Sequence, residues 1–106
     1  METKAFAEIE RYQPEKHVMV SVFDGERTKV RLLCLSPGAA VPTHGHAGFE
    51  VTLQPLRGRG VLSGDDGAEL ALEPGQVHFA VGTEAFAIKN PHVEAFLLLI
   101  HLVKTA

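Results

Sequence analysis

The sequence has no tryptophan, one tyrosine and one cysteine, Cys34, among its 106 residues. A single cysteine excludes internal disulfides, and its apolar neighbours predict a buried, inert thiol; a nucleophilic or metal-ligating thiol is the alternative. Because large aromatic side chains are so few, the core is expected to be aliphatic with contributions from six phenylalanines. The length suits one ordinary domain, so we predict a single domain over residues 1–106.

Long hydrophobic runs and an excess of basic charge are also missing. The longest apolar run, at 95–100, is far shorter than the roughly 20 residues that a membrane-spanning helix needs. The net charge is -3 with histidine neutral, and no basic stripe or lysine-rich run is present. These features argue against nucleic acid and membrane surfaces as partners. The N-terminus has no signal-peptide pattern, so we expect a cytoplasmic protein.

Short apolar segments separated by glycine, proline and aspartate make up most of the chain. The Asp-Gly turn signals at 24–25 and 65–67 are typical of hairpins, because both residue types tolerate the backbone of tight turns. Many short strands with frequent turns predict an all-β sandwich or barrel. The first sixteen residues are compatible with either a helix or a strand. The predicted strands are 17–23, 30–35, 49–56, 60–63, 69–72, 76–81, 86–89 and 95–103.

The last predicted strand, 95–103, is apolar on both of its faces. Successive side chains of a strand point to opposite sides, so neither side of this strand is suited to water. Such a strand is either central in a sandwich or covered by a partner subunit, since an exposed version would promote aggregation. We predict a homodimer, with burial inside the monomer as an equally good explanation of the pattern.

Two histidines at alternate positions, His44 and His46, are the first candidates for chemistry. In an extended chain such residues share a face and lie about 6–7 Å apart, so both imidazoles can bind one metal ion. Glu50 can complete the set if the chain turns at Gly48 and continues as a strand. The pair alone is equally compatible with surface histidines in a loop.

The residues around this pair have a recognisable spacing. Gly38 precedes His44 with five residues between them, three residues separate His46 from Glu50, and seven separate Glu50 from Gly58. This pattern, at about 38–58, resembles the first motif of the cupin superfamily. The motif has six residues before its last glycine, where this chain has seven.

A second segment, at about 67–82, resembles the second cupin motif. Gly67, Gly75 and His78 are in register with it, whereas Glu73 stands in place of the motif's proline and Gly82 in place of its asparagine. An isolated histidine on such an apolar strand would be better explained as a core residue hydrogen-bonded to the backbone. The match to the motif is what makes His78 a candidate ligand.

The resemblance covers about residues 30–103 and implies a single-domain cupin jelly-roll β-barrel. It also implies one divalent metal ion in the barrel, held by His44, His46, Glu50 and His78. Three imidazoles and one carboxylate, without a thiolate, suit Fe, Mn, Ni, Co or Zn. Four protein ligands leave a coordination position open, which is typical of catalytic rather than structural sites.

Strand alternation extends the candidate pocket. If Glu50 faces inward, Thr52 and Gln54 do so too, and Gln54 becomes a candidate catalytic residue; a polar position facing solvent is the alternative. Beyond His78, the same alternation turns Ala80 inward and keeps the pocket open.

Three further polar residues have two possible roles each. His92, in a loop after Pro91, is the second candidate catalytic residue, because its ordinary pKa is near roughly 6.5; an unremarkable histidine at the barrel rim is the alternative. Arg57 and Arg59 could bind an anionic substrate or be solvated loop charges.

We therefore predict a metal-binding cupin that acts on a small organic molecule as a dioxygenase-like or isomerase-like enzyme. The alternative is a non-catalytic module that senses a small ligand or a metal. Cupins of similar ligand set include dioxygenases, isomerases and decarboxylases, so the fold alone does not choose the reaction. Within the enzyme class an oxygenase-like activity is favoured.

Overall fold

The alternating apolar segments fold as antiparallel strands. The computed structural model describes residues 1–105. Within them, no helix is long and apolar enough to cross a membrane. The elements are α1 Phe6–Ile9, β1 His17–Asp24, β2 Thr28–Leu35, β3 Ala40–His44, β4 Phe49–Arg57, β5 Gly60–Gly64, β6 Glu69–Leu72, β7 His78–Val81, β8 Phe86–Lys89 and β9 Phe96–Lys104.

The strands form two sheets. The larger sheet has the order β1-β2-β9-β4-β7 and the smaller one β3-β8-β5-β6. Every neighbouring pair is antiparallel. The prediction of an all-β jelly roll is confirmed. The prediction of a closed barrel needs correction, because within the described chain no strand pairs across the two sheets. The edge strands β7 and β6 therefore leave one side of the sandwich open.

The predicted strands agree with the structure to within two residues at each end, and one strand was missed. That strand is β3, which contains Pro42, and a proline inside a run argues against a strand. Pro42 is tolerated because β3 is an edge strand paired only with β8. Near the N-terminus the helical alternative holds for one turn only, Phe6–Ile9.

The main core lies between the two sheets. Strand β9 is central in its sheet, which explains why both of its faces are apolar. Its inward side chains pack in the main core, and Leu97 on the other side packs in a second cluster with Leu32 and Cys34. Cys34 is fully buried, as predicted, and burial raises the pKa of its thiol. The largest inward side chains are Leu33, Leu35, Leu53, Leu72, Phe86, Ile88, Phe96, Leu98 and Ile100.

The N-terminal segment covers this second cluster. Ile9 and Tyr12 pack against it. Arg57, at the end of β4, donates hydrogen bonds to the carboxylate of Glu10 and, at 3.1 Å, to the Tyr12 hydroxyl. Arg57 thus ties the N-terminal segment to the larger sheet, a role that neither of its predicted functions included.

Candidate functional site

His44 and His46 lie side by side at the end of β3. Their ring centroids are 4.6 Å apart and their planes are tilted by 56°. The Phe86 ring, on the neighbouring strand, lies 5.4 Å from the His46 ring. The structure therefore brings together the two histidines that the alternation predicted to share a face.

A close approach of two loops holds His46 in place. Its backbone N–H donates to the Gly82 carbonyl and its own carbonyl accepts from Phe49 N–H, both at 3.0 Å. A Cβ atom on Gly82 would lie only 2.2 Å from the His46 carbonyl oxygen. Only glycine allows this contact, so Gly82 fixes the position of the His46 backbone.

The two imidazoles differ in their hydrogen bonding. The Nδ1 atom of His44 lies 2.9 Å from the Pro42 carbonyl oxygen. Since a carbonyl can only accept, this Nδ1 carries a proton, and Nε2 is left out of the contact. The Nδ1 atom of His46 is buried and has no hydrogen-bond partner within residues 1–105. Burial lowers the pKa of His46 and the neighbouring His44 lowers it further, which favours the neutral imidazole.

Both histidines face a small cavity between the sheets. Its volume is about 20 Å³, which is room for roughly one water molecule. Apart from the two imidazoles the walls are apolar. A polar atom inside the cavity could therefore form polar contacts only with the two histidines. The apolar walls are formed by Met19, Leu33, Val41, Leu53, Phe86, Ile88 and Ile100.

Glu50 lies on the opposite face of β4. Val51 and Leu53 point into the core, whereas Glu50 is exposed and pairs with Val81 on the outer face. The turn at Gly48 forms as expected, with φ of 86°. After this turn, strand β4 is shifted by one residue relative to the predicted alternation. A shift of one residue turns every side chain of a strand to the opposite face. For the same reason Thr52 and Gln54 do not turn inward.

His78 has the predicted orientation but a different surrounding. It pairs with Leu53 across β4 and β7, so both point inward, and Ala80 packs against the core as expected. The His78 Nε2 donates to the Gln76 side-chain oxygen at 3.1 Å. His78 lines a neighbouring groove that shares the walls Leu53 and Phe86 with the histidine cavity.

The complete four-ligand set is therefore not assembled in this structure. Within residues 1–105, no three His, Cys, Asp or Glu side chains are grouped so that they could hold a metal ion. Of the predicted ligands, His44 and His46 are together, His78 faces the adjoining groove, and Glu50 points outward. Two adjacent imidazoles fit a borderline metal ion such as Zn or Ni; the position of Glu50 does not.

The two candidate catalytic residues do not line the histidine cavity. Gln54 is exposed on the outer face, opposite Leu99. His92 follows Asn90 beyond the far end of β8, whereas His44 pairs with Phe86 at its near end. His92 instead lines a surface cavity of about 350 Å³ together with Arg59.

The groove beside His78 was not predicted from the sequence. Its volume is about 670 Å³. It lies between the edge strands β6 and β7, at the open side of the sandwich, and the turns after β5 and β7 border it. The Asp65-Asp66 pair was interpreted from the sequence only as part of a turn, and Glu84, on the turn after β7, gave no sequence signal.

Comparisons with known proteins agree with this architecture. No protein-family model matches the sequence, and no protein of curated function matches it. The solved structure of TT1209 from Thermus thermophilus is 32% identical, with 98% of each chain covered and a TM-score of 0.89. A protein with a double-stranded β-helix domain from Klebsiella pneumoniae has a TM-score of 0.91 at 16% identity, covering 98% of this chain and 90% of that one.

A third similar structure is an RmlC-like cupin protein from Desulfovibrio desulfuricans. It is 23% identical, covers 97% of this chain and 96% of its own, and has a TM-score of 0.86. The last two similarities concern the fold alone. All three extend over nearly the whole of the chain, including both segments that contain the histidines.

Proposed function

This chain belongs to the cupin superfamily, and we propose that it is a metal-binding member in which His44 and His46 hold one divalent ion. The observation that carries the proposal is the buried Nδ1 atom of His46, which has no hydrogen-bond partner in the described chain and lies beside His44. Fe, Mn, Ni, Co and Zn are the ions that suit imidazole ligands of this kind.

The energetics of burial support a ligand at this position. An unsatisfied buried polar atom costs about 1–3 kcal/mol, so such atoms are rare unless they have a use. The bond from His44 to the Pro42 carbonyl fixes its tautomer, in the way that metal-binding histidines are commonly oriented. Each of the two rings is therefore left with a nitrogen available to a ligand.

The protein would hold the ion in an apolar surrounding. Apart from the two histidines the walls of the cavity are apolar, although His44 is itself exposed, and His46 keeps its position through the contact with Gly82. When bound there, a divalent ion supplies Lewis-acid chemistry to a small organic molecule. Two imidazoles leave several coordination positions open, and His78 faces the adjoining groove from which such a molecule would enter.

The choice between binding and catalysis depends on acid–base groups. Apart from His44 and His46, the residues that line the cavity are all apolar. This favours the non-catalytic module, a sensor of metal or of a small ligand, over an enzyme that needs a further proton donor. A metal-dependent oxygenase-like or isomerase-like enzyme remains the second candidate, because the open positions would accept substrate.

Metal titration of the purified apoprotein tests the proposal. We expect about one ion per chain by elemental analysis after loading with Ni, Co, Zn, Mn or Fe(II). His46→Ala and His44→Ala should each weaken the affinity by about a hundredfold or more, whereas His92→Ala should bind like the wild type. Wild-type affinity of His46→Ala would contradict the proposal.

Two further measurements separate the alternatives. Glu50→Gln should leave the metal affinity unchanged if the two histidines form the site. If all four predicted residues bind the ion, the same substitution should lower the affinity strongly. Oxygen consumption by the metal-loaded protein with enols, thiols and diphenols, compared with His46→Ala, separates an oxygenase from a binding module.

A further inference from the structure

The groove at the open side of the sandwich combines an apolar floor with an acidic border. Leu70 and Val77 line it beside the half-buried Leu62 and are 47% and 67% exposed. Exposed apolar side chains that cluster in this way mark binding surfaces more often than scattered ones do. The volume of about 670 Å³ lies within the range of roughly 300–1,000 Å³ that small-molecule sites occupy.

The charges that face this groove are of one sign. Asp65 and Asp66 lie on the turn after β5, and Glu84 lies on the turn after β7. These two turns are neighbours, because Gly64 and Phe86 pair at the ends of β5 and β8. The lining contains no lysine or arginine.

The neighbouring basic residue is already paired. Lys89 lies 2.7 Å from the carboxylate of Glu69 and does not line the groove. The three acidic side chains are therefore not neutralised from within the groove, and the potential in it is negative.

The turns that carry these charges are held by their own side chains. Asp66 accepts a hydrogen bond from the backbone of Ala68 at 3.0 Å, and Glu84 accepts one from Val81 at 2.8 Å. An amide oxygen can accept the same bonds, so the charge of either residue can be removed while the turn is retained.

A metal ion does not account for this arrangement. No three acidic or histidine side chains within residues 1–105 are close enough together to hold one ion. Carboxylates spread around an apolar floor suit a cation whose charge sits at one end of an apolar body.

We propose that this groove binds a small organic cation, an ammonium group on an aromatic or aliphatic body. The apolar part lies on Leu62, Leu70 and Val77, and the ammonium group faces Asp65, Asp66 and Glu84. The groove adjoins the histidine cavity, with which it shares Leu53 and Phe86, but binding of the cation requires no metal. The inference is therefore tested separately from the metal proposal.

Binding of three matched probes to the full chain in the presence of a chelator tests this inference. The probes are 2-phenylethylammonium, the neutral 2-phenylethanol and the anionic phenylacetate, and the readout is the change in amide NMR signals. We expect the cation to bind about tenfold more tightly than the alcohol, with the largest changes at Leu62, Leu70 and Glu84, and phenylacetate to bind most weakly. Equal affinity of the three probes, or no binding of the cation, would overturn the proposal.

Charge-removing variants make the test specific. Asp65→Asn and Glu84→Gln should each weaken binding of the cation by about fivefold at low salt and leave 2-phenylethanol unaffected. Glu94→Gln, which removes a charge near the opposite end of β8, is the control and should bind like the wild type. Equal behaviour of Glu84→Gln and Glu94→Gln would contradict the proposal. A dimer that Leu70→Ser converts to a monomer would also contradict it, because a second copy would then cover the groove.

Discussion

The two ends of the sandwich each contain buried polar side-chain atoms, which have hydrogen-bond partners at one end and none at the other. At the far end of β8, Asn90 is 1% exposed and its amide is fully used. The nitrogen donates to the carbonyls of Leu35 and Glu94 at 2.9 and 2.8 Å, and the oxygen accepts from His92 N–H at 3.0 Å. At the near end, the buried Nδ1 of His46 has no partner in the described chain.

This difference separates a structural polar residue from a candidate functional one. The bonds of Asn90 close one end by tying the loop after β8 to β2, and nothing is left for a ligand. The free nitrogen of His46 lowers stability, and a ligand would remove that cost. Functional sites that keep polar groups unsatisfied commonly lower the stability of the protein. Substitution of Asn90 should therefore lower stability without changing metal affinity. Substitution of His46 should lower metal affinity without lowering stability.

The largest effect on stability is expected for Asn90→Leu. The change leaves two carbonyls and one N–H without their partner in a buried place, so we expect the free energy of unfolding to fall by about 3 kcal/mol. Urea denaturation measures this change. Metal affinity, measured at a temperature where the variant is folded, should stay at the wild-type value, and a parallel loss of affinity would show that the ends are coupled.

Gly82→Ala should produce an intermediate loss at the histidine end. The new methyl group would lie 2.2 Å from the His46 carbonyl oxygen and 2.6 Å from that of Phe49. Overpacking of this kind costs about 1–3 kcal/mol, and the shift of His46 should also weaken metal binding. Gly25→Ala is the matched control, because its methyl group would meet no atom closer than 3.5 Å. Wild-type metal affinity in Gly82→Ala would mean that this loop does not position His46.

His46→Leu should change stability in the opposite direction. The substitution removes an unpartnered nitrogen and places an apolar side chain in an apolar cavity. The free energy of unfolding of the metal-free protein should therefore rise by up to about 1 kcal/mol. Thermal unfolding with a chelator present measures this gain. A clear loss of stability would make His46 a structural residue like Asn90 and remove the contrast between the two ends.

The smallest effect is expected for Arg57→Met, at the end that Asn90 closes. Exposed ion pairs contribute about 0.2–1 kcal/mol, so global stability should hardly change. Loss of the bonds to Glu10 and Tyr12 should instead loosen the N-terminal segment, which faster amide hydrogen exchange around Ile9 would report. Metal affinity should be unaffected, and unchanged exchange would show that packing alone holds the segment.

Local sequence signals predicted most of the fold and the adjacency of the two histidines. Turn residues and alternation located eight strands, and the two-residue spacing correctly placed His44 beside His46. Strand β3 was missed, since only the sheet order shows that Pro42 lies on an edge. The face of Glu50 could not be predicted because the backbone around Gly48 sets the phase of the following strand. The groove depends on which edges stay unpaired, and this is a property of the assembled sheets.

The most direct measurement is an anomalous-diffraction experiment on crystals of the cobalt- or zinc-loaded protein. We expect one ion per chain within bonding distance, about 2.0–2.1 Å, of nitrogen atoms of both His44 and His46. An ion bound elsewhere, or full occupancy of the histidine cavity with the Nδ1 atom of His46 still unpartnered, would contradict the assignment of this pair as the metal site.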